Sequence, residues 1–258
     1  MPPGTSTAQP PTIGRGWILT AKNLVFPQFC QACHARLLTE ENGYFCPTCW
    51  ELSPRIERPF CPRCGRPHEG AVGLGTRANF LCADCREQPP EHVRRIYGAA
   101  RYTGAVREAI VLFKFLERRR LCDPLAELLA DVVTTEMDPA SYDILTPVPL
   151  HRVRERARGY NQSRLLAEAV QPLFPRAVLA NALRRHRPTR AQSRLHTAKR
   201  EKNVRGAFQA SGECVHTQTV LLVDDVVTTG STVNACADTL LRAGAAAVDV
   251  LTVAIARV

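Results

Sequence analysis

The sequence has no run of apolar residues as long as the roughly 18–20 that a membrane-spanning helix needs. Its opening stretch, MPPGTSTAQPPTIGRG, also lacks the basic segment followed by an apolar segment that marks a secretory signal peptide. We therefore expect a cytoplasmic protein without membrane insertion, with a disordered tail over residues 1–23. The formal net charge of +10 favours polyanionic partners such as phosphates, nucleotides or nucleic acid.

Acidic residues are scarce between residues 151 and 205, where fifteen Lys and Arg accompany only three acids. The positive charge of the chain is therefore concentrated in this segment, and the remainder is slightly acidic. Aromatic residues are few in and next to this segment, and those considered for stacking on bases are Tyr160 and Phe208. Such a segment suits a highly charged phosphate ligand or a DNA backbone, bound with strong salt dependence, and does not favour sequence-specific reading.

The cysteines are numerous but are not arranged as a secreted disulfide scaffold, because eight of the eleven fall in four Cys-x-x-Cys pairs. No βαβ pattern surrounds any pair, which argues against a redox role. A gap of two residues lets both thiolates of a turn face one tetrahedral ion, so four pairs predict two four-thiolate zinc sites. The predicted Zn²⁺ ligands are Cys30, Cys33, Cys46, Cys49, Cys61, Cys64, Cys82 and Cys85.

The simplest pairing is sequential, with the first four cysteines on one zinc and the last four on another, and a crossed pairing stays open. Sites made only of cysteine leave no coordination position for a substrate, which indicates structural zinc. Residues 24–92 carry few apolar side chains, so zinc is expected to supply their folding free energy. Gly65, directly after the third pair, is expected to use positive φ.

The pattern of apolar residues changes after about residue 93, where strand-like apolar runs alternate with segments of helical spacing. The predicted strands are 96–102, 143–150, 219–224 and 248–256. This alternation predicts an α/β domain over 93–258, with a mostly parallel sheet covered by helices on both faces. Ligands of such sheets bind at the carboxyl ends of the strands.

The segment LLVDDVVTTGST (221–232) places Asp224 and Asp225 at the end of a predicted buried strand, before a turn into a helix. Backbone amides and hydroxyls in such a turn form a site for a phosphate monoester at the helix N-terminus. The acids then suit the vicinal hydroxyls of a ribose and, through them, Mg²⁺. The alternative is an ordinary capped helix beside two exposed acids. The turn residues are Thr228, Thr229, Gly230, Ser231 and Thr232.

Two basic segments support a phosphate ligand. PVPLHRVRERARGYNQS (147–163) is predicted to form a loop that holds a pyrophosphate, with Asn161 capping the next helix; alone, it would be explained as a solvated basic run. Residues 185–208 are similar to a mobile loop that covers such a ligand. The arginines of the first segment are Arg152, Arg154, Arg156 and Arg158.

The acid pair and its turn resemble the 5-phosphoribosyl 1-pyrophosphate (PRPP) signature of type I phosphoribosyltransferases. The paired cysteines, FKF around Lys114, PVPLHRVRERARGYNQS and TRAQSRLHTAKREKNVRGAF extend this to a resemblance over nearly the whole chain to the ComF proteins. The resemblance implies a phosphoribosyltransferase-like domain after a double zinc ribbon, with PRPP and Mg²⁺ bound by the acids, the turn, the arginines and Lys114. It also implies a role in natural transformation, with incoming single-stranded DNA and a helicase-like protein as candidate partners.

One position departs from related enzymes: several purine-specific ones carry an Asp where this chain has Thr228. No other general base stands out, so the acceptor and catalysis itself stay open. Three functions are compatible with the residues: a ComF protein supporting DNA uptake, a nucleobase phosphoribosyltransferase of salvage metabolism, and a non-catalytic PRPP-sensing adaptor with a zinc ribbon.

Overall fold

The computed structural model describes residues 27–37, 43–68, 78–187 and 206–256, and the chain forms two compact units, Met1–Glu51 and Leu52–Val258. The second four-cysteine segment thus belongs to the same compact unit as the sheet, whereas the sequence interpretation grouped both cysteine segments over 24–92. Among the residues described, no helix combines the length and apolarity that crossing a membrane requires.

The first unit contains a short bridge between Phe29 and Arg36, followed by helix α1, Pro47–Glu51. The second unit contains every strand found in the described ranges. Its elements in chain order are α2 Ala83–Glu87, β1 Arg95–Arg101, α3 Gly104–Leu112, a 3₁₀ helix Leu116–Leu121, α4 Cys122–Glu136, a 3₁₀ turn Pro139–Ser141, β2 Ile144–Pro147, α5 Arg152–Arg158, α6 Gln162–Val170, a 3₁₀ turn Gln171–Leu173, β3 Val178–Leu179, β4 Leu183–Arg185, β5 Phe208–Ala210, α7 Gly212–Val215, β6 Thr219–Val227, α8 Ser231–Arg242 and β7 Ala247–Ile255.

The main sheet has the strand order β1-β7-β6-β2-β3, and all four pairings are parallel. Strands β4 and β5 form a separate antiparallel pair. Both faces of the sheet are covered, as the continuous apolar runs predicted. Val220 and Leu222 of β6 belong to the core cluster that includes Val233 and Leu240 of α8, while α4 and α6 contact each other and the sheet strands. The predicted mostly parallel α/β fold is confirmed.

Strand β1 is an edge strand of the main sheet, and the second cysteine segment pairs with it. Ile56 N–H donates to the Ala99 carbonyl at 2.9 Å, and Arg101 N–H donates to the Pro54 carbonyl at 2.9 Å. Ile96 N–H, from the same strand, donates to the Arg63 carbonyl at 3.0 Å. This edge is therefore covered by protein backbone, which satisfies groups that an open edge would leave unpaired.

Residues 104–119 (GAVREAIVLFKFLERR) have the spacing of one continuous helix, but in the structure this helix is interrupted. Helix α3 ends at Leu112, residues 113–115 form a turn, and the 3₁₀ helix follows. Phe115 is extended, with φ −110° and ψ 140°. The hydroxyl of Tyr160 donates to the carbonyls of Phe113 and Phe115 at this interruption, and the Phe115 carbonyl also accepts from Arg118 N–H at 3.0 Å. Apolar periodicity could not predict it.

Candidate PRPP site and zinc centres

The first four cysteines converge in the first unit: the sulfur atoms of Cys30, Cys33, Cys46 and Cys49 all lie within 4.8 Å of one another. The turn between the first two is a tight knuckle in which His34 N–H donates to the Cys30 carbonyl at 2.9 Å. The Sγ atoms of Cys33 and Cys46 are 3.8 Å apart. The grouping is sequential along the chain.

The last four cysteines, Cys61, Cys64, Cys82 and Cys85, converge in the same way in the second unit. The Sγ atoms of Cys64 and Cys82 are 3.8 Å apart. Gly65 closes the knuckle with φ +71°, and its N–H donates to the Cys61 carbonyl at 2.8 Å. No crossed group occurs among the described residues, which resolves the alternative left open by the sequence.

Both groups fit a zinc ion. Four sulfurs at the usual Zn–S distance of about 2.3 Å form a tetrahedron whose edges are about 3.8 Å, the separation seen in each group. The nearby His68 is engaged elsewhere, because its ring stacks on Phe80 at 3.7 Å and Nε2 lies 2.8 Å from the Phe80 carbonyl. Sites of four thiolates with no open position are structural.

The acid pair lies where the sheet opens. Strand β6 continues to Val227, three residues beyond the predicted end, whereas its pairing with β2 stops at Val223. On the other side, Asp224 still pairs with Thr252 of β7. Beyond Val223, at the carboxyl end of the sheet, the edge of β6 that faces β2 is therefore not paired with that strand. This is the place where ligands bind in open parallel sheets.

Asp224 is buried, and its carboxylate accepts hydrogen bonds from Ser163 Oγ at 3.0 Å and from Asp225 N–H at 2.9 Å. Burial, together with the charge of Asp225, raises the pKa of Asp224 to about 7, and the two hydrogen bonds and the charge of Lys114 act in the opposite direction. With this pKa, both the neutral and the charged form of the Asp224 carboxyl group are populated near neutral pH.

Asp225 is held by cations. Lys114 Nζ lies 3.2 Å from Asp225 Oδ2, and both side chains are largely shielded from solvent. Arg158 interacts electrostatically with the same carboxylate: burial lowers the pKa of Arg158, and the charge of Asp225 partly offsets this. The structure thus brings together Asp224, Asp225, Lys114 and Arg158, which come from three separate parts of the sequence.

The turn after β6 leaves the backbone at the start of α8 accessible. Gly230 has φ +78° and precedes α8, and a side chain carbon added there would meet no atom within 4 Å. The hydroxyl oxygens of Thr229 and Ser231, on either side of Gly230, lie 2.7 Å apart. Helix α8 runs for 12 residues from Ser231, and the first-turn amides of such a helix have no intrahelical acceptor. The open space beside Gly230 permits close approach to this backbone.

The basic segment predicted as a loop is partly helical. Residues Arg152–Arg158 form α5, which His151 caps and Gly159 ends in the left-handed region. Helical spacing separates the four arginines into two pairs. Arg154 and Arg158 are half-buried, and Arg152 and Arg156 are exposed. The pairing could not be recognised while the segment was interpreted as a loop.

Two residues of the site were missed from the sequence. Ser163 sits in the first turn of α6, behind the cap Asn161, and only the tertiary structure brings it to Asp224. Arg185 is buried on β4, its guanidinium carbon 5.3 Å from the Phe208 ring centre, and interacts electrostatically with Asp224 and Arg154. The loop predicted to cover the ligand lies mostly at 188–205, outside the described residues.

Two family models match the chain, one over its cysteine-rich segment and one over its sheet-forming part. Residues 21–86 match the model of the double zinc ribbon domain, and residues 166–257 match that of the phosphoribosyl transferase domain. A solved structure of the allosteric regulatory enzyme of purine biosynthesis aligns at 23% identity with a TM-score of 0.33, covering 50% of this chain and 24% of that one.

Three curated relatives extend over most of the chain. The DNA utilization protein YhgH of Escherichia coli (strain K12) is 33% identical over 232 residues, 88% of this chain and 96% of the relative. Competence protein F of Haemophilus influenzae is 29% identical, covering 86% and 94%. Competence protein ComFC of Bacillus subtilis is 25% identical, covering 83% and 84%. Because a relative is 33% identical over 96% of its own length, and the competence proteins align over most of theirs, the chain belongs to the ComF family, which pairs a zinc ribbon with a phosphoribosyltransferase-type domain.

Proposed function

We propose that the chain binds PRPP, together with Mg²⁺, at the carboxyl end of β6, and that it supports natural transformation by handling incoming single-stranded DNA in the cytoplasm. The observation that carries the first part is the placement of Asp224 and Asp225 on the open extension of β6, directly before the turn that opens α8. Acids and an anion-binding turn at this spacing match a ribose with a 5-phosphate.

Roles follow from the geometry. The turn Thr228–Thr232 would hold the 5-phosphate through backbone amides and hydroxyls at the positive end of the α8 dipole. Asp224 and Asp225 would accept hydrogen bonds from the ribose hydroxyls. Lys114 contacts Asp225, Arg158 interacts with it electrostatically, and both cations would bind the pyrophosphate. Mg²⁺, bound through the acids and the ligand's oxygens, would neutralise part of the pyrophosphate charge.

A transfer reaction at this site would break the bond between ribose C1 and the pyrophosphate oxygen and form a bond from C1 to an acceptor. The arginine and lysine side chains would stabilise the negative charge that develops on the departing pyrophosphate. The residue at 228 is Thr, so the turn supplies no carboxylate to activate a base. This favours a ComF role with PRPP binding over purine salvage.

The proposal is tested by calorimetric titration of PRPP with Mg²⁺ into wild type, Asp224→Asn and Asp225→Asn. Asp238→Asn is a matched control, because Asp238 is a partly exposed acid of α8 that pairs with Arg242. We expect wild type and the control to bind, and both site variants to lose at least tenfold in affinity. Equal PRPP affinity in all four proteins would show that Asp224 and Asp225 do not bind the ligand, and would refute the proposed site.

The alternatives are separated by adding acceptors. Release of pyrophosphate that depends on one nucleobase would indicate salvage, and binding without turnover would indicate a sensing adaptor. The DNA role is tested with a labelled oligo(dT) strand over a salt series. We expect affinity to fall steeply with salt, because the exposed arginines of α5 would replace counterions on the phosphates. Binding independent of salt would contradict this part.

A further inference from the structure

The five residues 159–163 connect three parts of the candidate site, and Tyr160 is at the centre. Tyr160 is 6% exposed, and its ring packs against Phe113 at 5.8 Å between centres. Its hydroxyl donates to the Phe113 carbonyl and, at 2.9 Å, to the Phe115 carbonyl. These carbonyls lie on either side of Lys114, so the hydroxyl holds the turn that carries the lysine.

The outer face of Tyr160 is closed by Arg119. The guanidinium carbon lies 4.7 Å from the ring centre, and one N–H donates to the Gly159 carbonyl at 3.1 Å. Arg119 belongs to the 3₁₀ helix that follows Lys114. The turn at 113–115 is therefore attached to Gly159 and Tyr160 from both of its sides.

The same short segment also holds the acids. Asn161 Nδ2 donates to the Val148 carbonyl at 3.1 Å, where the chain leaves β2. Two residues later, Ser163 Oγ donates to Asp224 at 3.0 Å. Lys114, in turn, lies 3.2 Å from Asp225. This short segment thus supplies the hydroxyl that contacts Asp224 and, through Tyr160, holds the turn whose lysine contacts Asp225, although these partners are 61 and 111 residues apart in sequence.

We propose that Tyr160 is a positioning residue, whose hydroxyl fixes the 113–115 turn so that the Lys114 ammonium meets Asp225 in the geometry that PRPP binding needs. The proposal rests on the proposed function for its consequence in ligand binding. Its structural part, the coupling between Tyr160 and Lys114, does not need a ligand. A lysine on a regular helix continuing from α3 would point in a different direction, because the turn breaks the helical path.

The test begins without ligand, as a double-mutant cycle read by thermal unfolding. Tyr160→Phe and Lys114→Met are measured singly and together. If the hydroxyl acts through the lysine, the double variant loses less in Tm than the two single losses combined, because each change removes part of the same interaction. Tyr142→Phe is the control, since that hydroxyl is equally buried but donates to Asp249 at the opposite end of the sheet. Its losses should add to those of Lys114→Met.

The second measurement is PRPP affinity in the same proteins. We expect Tyr160→Phe to weaken binding about three- to tenfold, the range given by the net contribution of one hydrogen bond. It should weaken Lys114→Met no further, and Tyr142→Phe should leave affinity unchanged. Should Tyr160→Phe not fold, Arg119→Met, at an exposed position, releases the same turn and is judged by the same two criteria.

The outcomes are distinguishable. If wild type does not bind PRPP but the unfolding cycle shows coupling, the proposed function fails and the positioning contact stands. If wild type binds PRPP while Tyr160→Phe binds equally well and its Tm loss adds to that of Lys114→Met, the positioning role is overturned and the proposed site stands. Additive losses in both measurements likewise overturn it.

Discussion

Replacing Gly65 by Ala tests how tightly the second zinc knuckle is packed on the edge of the sheet. Gly65 has φ +71°, and a Cβ at this position would lie 2.5 Å from the Ile96 carbonyl oxygen and 2.7 Å from Ile255 Cδ1. The isoleucine methyl group can rotate away. The carbonyl belongs to the backbone of β1, whose N–H at the same residue is bonded to Arg63 in the knuckle.

Gly104 supplies the matched control. It has φ +56°, and a Cβ there would meet no atom within 4 Å. Both Gly→Ala changes therefore carry the cost of a left-handed conformation, about 1–2 kcal/mol. Only the change at Gly65 adds a steric conflict, for which overpacking in tightly packed sites gives about 1–3 kcal/mol. We expect Gly65→Ala to destabilise the protein by about 1–3 kcal/mol more than Gly104→Ala.

Urea unfolding followed by far-UV circular dichroism measures this difference, because the helices that dominate the signal lie in the Leu52–Val258 unit. For a unit of this size, each kcal/mol corresponds to a shift of about 2–4 °C in Tm. Zinc content is measured in both variants, so that loss of metal is separated from loss of packing. Losses equal within about 0.5 kcal/mol, with zinc retained, would refute the close contact between knuckle and sheet.

Three further predictions concern the acids and arginines. Because the pKa of Asp224 is raised to about 7, its charged form is disfavoured in the folded state. Asp224→Asn should therefore raise Tm in Mg²⁺-free buffer above about pH 7, and this gain should vanish near pH 4. A gain in Tm that is independent of pH would contradict the burial argument. Measured by calorimetry, Arg158→Gln should weaken PRPP binding at least tenfold, whereas Arg156→Gln, at an exposed position, should weaken it less than about twofold. Equal effects of the two substitutions would contradict the division of α5 into two faces. Asp249→Asn should cost about 2–3 kcal/mol in urea unfolding, because the 1% exposed carboxylate accepts two bonds from Arg94, and an unchanged midpoint would contradict this.

Local patterns were sufficient for much of the architecture. The spacing of the cysteines predicted two groups of four, and a continuous apolar run predicted a strand covered on both faces, as β6 is. The cap at Asn161 was also recognisable, because an Asn before a helical run accepts a bond from the backbone two residues on, here from Ser163 N–H at 3.1 Å. The family assignment, made on these motifs, is confirmed. The boundary at residue 92 stays a prediction.

Boundaries failed where a distant residue competes with local preference. Helix α3 stops at Leu112, directly before the turn whose Phe113 and Phe115 carbonyls accept from the distant Tyr160 hydroxyl. Strand β6 continues to Val227 because β7 still pairs with it after β2 has turned away. Neither partner is adjacent in sequence, so no window along the chain contains the information.

The sequence by itself determined which functional groups are present and how they are spaced: eight thiolates in knuckle spacing, two acids before a glycine turn, and a basic segment next to a helix cap. Only the tertiary structure decided which groups meet. Strand order brings Ser163 to Asp224 and Lys114 to Asp225, and it sets the second zinc knuckle against β1. The physical reason is that side-chain type and spacing are properties of short segments, whereas a contact across 61 or 111 residues depends on how the whole sheet is ordered.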